Sequence, residues 1–229
     1  MSDEETTGIR ELVERAGELE RAGRHGEAIG VYEEVLRRAE RIELMLRLGN
    51  LYLDVGRLEE AIEIHRRVLA RSPDLAGGHY GLGLAFYRAA RIYEAIACFA
   101  RVVELDPSWV TARYWLGLAH YHRGDLDEAI AAFRALLELS PGFTIAWYHL
   151  GTAAAQKCDN DLTLLAFGQV LVSNPRSQGA HYHRGVAHFR KGNLDEALAE
   201  FRAAVELNPE DRKSAENLRA LEEMRTRFS

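Results

Sequence analysis

The five prolines of this chain fall on a single interval of 34 residues, and each follows a serine, aspartate or asparagine. They are Pro73, Pro107, Pro141, Pro175 and Pro209. A polar residue followed by proline is typical of a helix start, because the side chain caps free N–H groups and proline fits the first helical position. Five such pairs at one interval predict an internal repeat, so the chain is an array of similar units.

Other residues recur on the same interval. A glycine stands at Gly49, Gly83, Gly117, Gly151 and Gly185. An aromatic residue or histidine stands at His65, Phe99, Phe133, Phe167 and Phe201. Each half of a unit has apolar residues three and four positions apart, which predicts two helices per unit. Gly56, Gly124 and Gly192 fall between the halves and are typical of the residue that follows a helix end.

These columns resemble the tetratricopeptide repeat (TPR) family. The fullest match is formed by Tyr114, Trp115, Leu116, Gly117, Tyr121, Gly124, Ala129, Phe133 and Pro141. The resemblance implies an all-α fold, a right-handed superhelical solenoid of about six TPR helix-turn-helix units plus a C-terminal capping helix.

The repeat interval also predicts the division of the chain. Residues 1–8 are expected to be a disordered N-terminal tail. The six TPR units within 9–211 are placed at 9–41, 42–75, 76–109, 110–143, 144–177 and 178–211. The capping helix is placed at 212–229, because charged residues cover the side opposite its apolar residues.

Composition excludes several functional classes. The net charge is −6, whereas nucleic-acid proteins are usually basic, and no apolar run reaches the roughly 20 residues of a membrane span. The first residues, Met1 to Glu5, lack the basic and apolar regions of a secretory signal. Cys98 and Cys158 fall in different units without metal-type spacing, so reduced thiols in a cytoplasmic protein are expected.

No pattern in the sequence indicates catalysis. The nucleophile elbow, the phosphate-binding loop, the dinucleotide fingerprint and the zinc-protease motif are all missing. Most of the nine histidines share repeat columns, which places them on different helices about 10 Å apart, too far for common metal ligation at about 2 Å per bond. The chain is therefore expected not to be an enzyme and to bind no metal or cofactor.

The resemblance implies that the first helix of each unit lines a concave groove where a peptide or helix of another protein binds. Residues four and seven apart share a helix face. The predicted peptide-binding residues are Tyr80, Leu84, Tyr87, Arg88, Tyr114, Leu118, Tyr121, His122, Tyr148, Thr152, Ala155, Gln156, Tyr182, Val186, Phe189 and Arg190. Tyrosine combines a large rigid area with a polar tip, which suits such contacts. The alternative is that these tyrosines mainly pack against neighbouring helices.

Two departures from the pattern carry their own predictions. Ala155 stands where neighbouring units carry Tyr87, Tyr121 and Phe189, so a notch in the groove is predicted there, for one apolar side chain of a partner. Arg184 stands in a column of inward-facing leucines, so it needs a carboxylate or a route to solvent.

The sequence as a whole favours a non-catalytic scaffold or adaptor for protein–protein interaction. Two alternatives remain open. One is a self-assembling structural module that forms a homo-oligomer through the ends or the convex face of the array. The other is a regulatory or assembly subunit of a larger complex. None of these involves nucleic acid or insertion into a membrane.

Overall fold

The computed structural model describes the backbone of residues 3–228 and the side chains of residues 7–227. Over that range the chain forms thirteen α-helices and no strand. They are α1 (Asp3–Arg21), α2 (His25–Arg38), α3 (Ile42–Asp54), α4 (Leu58–Arg71), α5 (Ala76–Arg88), α6 (Ile92–Leu105), α7 (Val110–Arg123), α8 (Leu126–Leu139), α9 (Thr144–Gln156), α10 (Asn160–Ser173), α11 (Gln178–Arg190), α12 (Leu194–Leu207) and α13 (Arg212–Phe228). The all-α fold is as the sequence predicts.

The chain divides into two compact bodies, one up to Ala112 and one from Arg113 onward. In the first body, each helix from α1 to α6 packs against the next, and α3 also contacts α5. In the second body, each helix from α8 to α13 packs against the next, and α9 also contacts α11. Within each body the helices therefore stack as successive pairs, and first helices of adjacent pairs lie side by side.

The predicted unit 9–41 includes most of α1 and all of α2, each of the other five units contains two helices, and 212–229 contains α13. The exact unit boundaries stay a prediction. Helix α1 begins at Asp3, so the predicted tail differs from the structure, and Met1 and Ser2 lie outside the described residues. The apolar pattern begins only at Ile9, but a helix continues past its buried positions wherever backbone hydrogen bonds continue.

The predicted helix starts at the prolines are wrong. Ser72 follows the end of α4, its N–H donates to the carbonyl of Val68 at 2.9 Å, and α5 begins only at Ala76. The carboxylate of Asp106 accepts from the N–H of Ser108 at 2.9 Å, so it closes a turn instead of capping a helix. Proline disfavours a helical conformation in the residue before it, so each proline marks where the second helix ends.

The two main columns of the repeat are in contact. A Cβ atom at Gly117 would lie 2.8 Å from Cε1 of Phe133, and one at Gly83 would lie 2.7 Å from Cε1 of Phe99. Both rings are fully buried. Glycine recurs in the first helix because only a residue without a side chain lets the buried ring of the second helix approach so closely.

One or two residues past the end of each first helix, the backbone has positive φ. Gly56, Gly124 and Gly192 have φ of 77°, 94° and 80°, which confirms their predicted place at a helix end. Ala90 and Cys158 occupy the same column with φ of 58° each. An L-residue in this left-handed region costs about 1–2 kcal/mol because Cβ crowds the backbone.

Replacing Ala90 or Cys158 by glycine is therefore expected to stabilise the protein. The gain is about 0.5–1 kcal/mol, because the relieved strain is offset by the larger entropy of glycine in the unfolded chain. Chemical denaturation measures the free energy of unfolding of each variant. The reverse change, Gly124→Ala, is the matched control and is expected to cost about 1 kcal/mol. If the Ala90→Gly variant and the wild type had the same free energy of unfolding, the claim that the backbone of Ala90 is strained would be contradicted.

Candidate functional site

Every residue predicted to line the groove lies on a first helix, namely α5, α7, α9 or α11. The residues on α5 belong to the first body, and those from Tyr114 onward belong to the second. Most of the predicted residues are half-buried or exposed, as a contact surface requires. Leu118 differs, since it is only 8% exposed and therefore contributes to packing.

The recurring tyrosines pack on the recurring phenylalanines. In the first body, the ring centroids of Tyr80 and Phe99 lie 6.1 Å apart, and Tyr80 also stacks on Trp109 at 5.1 Å. In the second body, Tyr148 meets Phe167 edge to face at 5.5 Å. In each of these three pairs, a half-buried tyrosine packs on another aromatic ring. One part of each ring is structural, as the alternative interpretation expects, and the other part remains accessible.

Two of the predicted arginines already bind the backbone. Nη1 of Arg88 donates to the carbonyl oxygen of Leu53 at 2.6 Å, in the last turn of α3. Nη1 of Arg190 donates to the carbonyl oxygen of Ala155 at 3.2 Å, in the last turn of α9. The C-terminus of a helix carries the negative end of its dipole, so each arginine stabilises the preceding first helix. Both side chains are held in place by these contacts.

The predicted notch around Ala155 has a hydrogen-bonded rim. Nε2 of Gln156 donates to the hydroxyl oxygen of Tyr121. Burial raises the pKa of Tyr121, so its hydroxyl stays neutral at neutral pH. The hydroxyl of Thr152 donates to the carbonyl oxygen of Tyr148 at 2.8 Å and is thus satisfied within α9. Gln156, Tyr121 and Thr152, which border Ala155, thus each have a hydrogen-bond partner within the second body.

A cleft of about 340 Å³ lies between α11 and α13. Its lining consists of Tyr182, Val186, Phe189, Arg190, Phe201, Asn217, Ala220, Leu221 and Met224. Phe201 and Leu221 form a buried floor, whereas Phe189 and Met224 on the rim are 42% and 36% exposed. Exposed apolar side chains around an apolar floor favour a binding site.

The contribution of α13 to this cleft is missing from the sequence prediction. The sequence carries a signal for it, because Met224 extends the apolar side of the last helix beyond the buried Leu221. The N-terminus of α13 is fixed by Asp211, whose carboxylate accepts from the N–H of Ser214 at 3.0 Å. Hydrogen bonding by Ser214 lowers the pKa of Asp211. Nε2 of Gln178 on α11 also donates to Asp211 at 2.9 Å, so α13 is tied to α11.

Arg184 is paired with a carboxylate, which is supplied by Glu200. Nε of Arg184 donates to Oε1 of Glu200 at 2.6 Å, and Nδ1 of His181 lies 2.6 Å from the other carboxylate oxygen. The side chain of Glu200 is only 14% exposed. The inward-facing arginine is thus compensated inside the second body, which confirms the need that the sequence indicates.

The histidines His149 and His183 act as packing residues. The ring of His183 stacks on Phe167 with centroids 4.7 Å apart, and His149 stacks on Phe133 at 5.9 Å. Burial lowers the pKa of both imidazoles. Among residues 7–227, no three His, Cys, Asp or Glu side chains are grouped so that they could hold a metal ion.

The two cysteines are free thiols in different surroundings. Cys98 is buried, and burial raises the pKa of its thiol to about 11, whereas Cys158 is exposed. No helix in the described part of the chain is both long enough and apolar enough to cross a bilayer.

Successive helix pairs that stack in this way define a helical-repeat protein. The TPR sequence profile matches residues 80–143 and 148–212, and a second TPR profile matches residues 49–89. The chain therefore belongs to the tetratricopeptide repeat family. No curated protein matches the sequence significantly.

Several solved structures have the same fold. YrrB, described as a TPR protein with an unusual peptide-binding site, is 21% identical over 81% of this chain and 96% of its own, with a TM-score of 0.75. MamA from Desulfovibrio magneticus RS-1 is 21% identical over 76% of this chain and 98% of its own, with a TM-score of 0.68. A TPR protein from Parabacteroides merdae is 19% identical over 93% and 84%, with a TM-score of 0.63. At these identities the likeness is one of fold.

Proposed function

We propose that the protein is a non-catalytic adaptor that binds an apolar peptide or helix of another protein. The proposed site lies in the second body, along the accessible faces of α9 and α11 and in the cleft beside α13. The observation that carries the proposal is the cleft itself, with its buried floor and its exposed rim residues Phe189 and Met224. TPR proteins serve in general as protein-interaction modules, which supports the class of function.

The size of the cleft favours one kind of ligand. A volume of about 340 Å³ is at the lower end of the range for small-molecule pockets, which is about 300–1,000 Å³. It therefore suits one or two large apolar side chains that anchor a longer segment. The rest of that segment would contact Tyr148 and the region around Ala155, which line up along α9. A few buried anchors carry most of the affinity at such interfaces.

Affinity capture from the source organism, followed by titration calorimetry with the captured segment, tests the proposal. Phe189→Ala and Met224→Ala are each expected to weaken binding about tenfold, because each removes apolar area from the rim. Ala155→Tyr is expected to abolish the contacts at the notch. The matched control is Tyr93→Ala, which removes a ring that is 73% exposed on α6, a second helix of the first body.

The result that would contradict the proposal is binding that tolerates all three site variants. Binding that is lost only in the Tyr93→Ala variant would likewise move the interaction to a second helix. Circular dichroism and the midpoint of unfolding of each variant separate lost binding from lost structure. A second candidate function is self-assembly, which the exposed apolar residues Leu165 and Val172 on α10 favour.

A further inference from the structure

Helix α10 has an exposed apolar stripe. Leu165 is 55% exposed and Val172 is 78% exposed, and Gly168 lies between them. Together with the exposed Asp161, they follow one another at spacings of four, three and four residues. This is the spacing by which one helix packs along another, as in coiled coils.

The same positions of the other units carry different residues. In the column of Leu165 stand Glu63, Ala97, Ala131 and Ala199. In the column of Gly168 stand Arg66, Ala100, Arg134 and Arg202. In the column of Val172 stand Ala70, Glu104, Glu138 and Glu206. At positions 165 and 172, α10 thus has large apolar residues where these units have small or charged ones. At position 168 it has glycine where three of them have arginine.

The position of Gly168 makes the stripe self-complementary. Leu165 precedes it by about one helical turn, and Val172 follows it by about one turn. If two copies of α10 cross antiparallel at Gly168, Leu165 of each copy meets Val172 of the other. Gly168 adds no side chain of its own at the crossing point, where Nη1 of Arg184 from α11 would lie 3.2 Å from a Cβ atom, so the two backbones can approach closely beside that guanidinium.

The charges at the two ends of the stripe fit the same arrangement. Asp161 lies in the first turn of α10, and the exposed Arg176 lies in the turn that follows the helix. Asp161 contacts Nζ of Lys191 in its own chain, yet its side chain remains 84% exposed and can accept a second cation. Because Asp161 lies in the first turn of α10 and the turn with Arg176 directly follows its last residue, an antiparallel crossing brings Arg176 of one copy to the helix end that carries Asp161 in the other. The N-terminus of each helix then lies beside the C-terminus of its neighbour, which the helix dipoles favour.

We infer that α10 is a homodimer interface, at which a second copy of this chain packs antiparallel across Gly168. A twofold axis through the crossing point gives the same contacts on both sides, which is the commonest symmetry of protein dimers. The stripe is narrow, so the dimer is at the weak end of specific interfaces, with a dissociation constant on the order of tens of micromolar. The interface lies on a second helix and leaves the cleft between α11 and α13 free.

Sedimentation velocity between about 1 and 300 µM tests the interface. The weight-average mass of the wild type is expected to rise from 25.8 kDa towards twice that value. Leu165→Glu and Gly168→Arg are each expected to weaken association about tenfold or more. Each variant introduces a residue that at least one other unit already carries in the same column. At Gly168 a Cβ atom would lie 3.2 Å from Nη1 of Arg184, so this guanidinium must shift by a few tenths of an ångström. The midpoint of unfolding of each variant therefore accompanies the sedimentation data and separates lost association from lost structure.

The matched control is Ala131→Glu, which places the same glutamate in the Leu165 column on α8 and is expected to associate as the wild type does. A wild type that stays monomeric over the whole concentration range would overturn the inference. Dimers that persist in both α10 variants would overturn it as well, because they would form through another surface.

Charge reversal tests the antiparallel direction. Asp161→Arg alone and Arg176→Glu alone each place like charges opposite one another and are expected to weaken the homodimer. An equimolar mixture of the two variants removes the like-charge contacts in the heterodimer, so association is expected to recover towards the wild-type level. A mixture that associates no better than the separate variants would overturn the antiparallel crossing. The same experiment on Leu165→Glu proteins is the negative control.

Discussion

Acidification from pH 7 to pH 4 is expected to lower the free energy of unfolding by about 3 kcal/mol through His65 alone. The imidazole is completely buried, and neither ring nitrogen has a hydrogen-bond partner within the described residues. Burial lowers its pKa from 6.5 to about 4 in the folded protein. Below pH 6.5 the unfolded chain takes up a proton that the folded chain refuses until about pH 4, so stability falls across that window.

Chemical denaturation at pH 7, 5.5 and 4 measures this loss. His149 and His183, whose pKa values burial also lowers, contribute in the same direction. The contribution of His65 is therefore taken from the difference between the wild type and the His65→Phe variant. Phenylalanine is the residue of this column in the four later units. Identical pH dependence in the two proteins would show that His65 is protonated as readily folded as unfolded.

Gly117→Ala is expected to destabilise the protein by about 2 kcal/mol, the cost of overpacking a rigid core. The added methyl group would lie 2.8 Å from Cε1 of Phe133, whose ring is fully buried and cannot move aside. Gly151→Ala, which meets Phe167 at 2.8 Å, is expected to behave in the same way. The free energy of unfolding from urea titration measures both effects.

The matched control for these variants is Gly142→Ala. Its Cβ atom would meet no other atom within 4 Å, so the change is expected to alter stability by less than about 0.5 kcal/mol. A loss at Gly142 as large as that at Gly117 would mean that the general effect of alanine for glycine, and not the ring contact, sets the cost. Phe133→Leu in the Gly117→Ala background is expected to recover part of the loss by making room.

The repeat interval predicted the fold because the same contact between the two helices recurs from unit to unit. Gly117 and Phe133 recur together since the glycine makes room for the ring, so two columns of sequence report one contact. The interval does not show, however, whether a recurring residue lies at the start or at the end of a helix. The pair of Ser72 and Pro73 fits a helix start and a helix end equally well by residue type, and the backbone hydrogen bond of Ser72 to Val68 decides for the end.

The candidate site was predictable only in part, for a similar reason. Spacing places Tyr148 and Tyr182 on one face of each first helix, because a helix has a fixed period. It does not show that Arg190 binds the carbonyl of Ala155 or that Met224 closes a cleft with Phe189, since these contacts depend on how separate helices pack. The need of Arg184 for a carboxylate was predictable from its column, but the identity of Glu200 was not.

The ring of His65 leads to a consequence for the order of the repeats. Cβ atoms built at Gly49 and Gly81 would both come within 2.5 Å of this ring, so it fills space on α3 and on α5 at once. One interval beyond Gly81, the chain carries Trp115, and then His149 and His183. A shuffled chain that joined 42–75 directly to 110–143 would force an indole into the volume that the imidazole occupies. The junction between 42–75 and 76–109 is thus matched through His65 and Gly81, and joining another unit at this point is expected to require repacking around the imidazole.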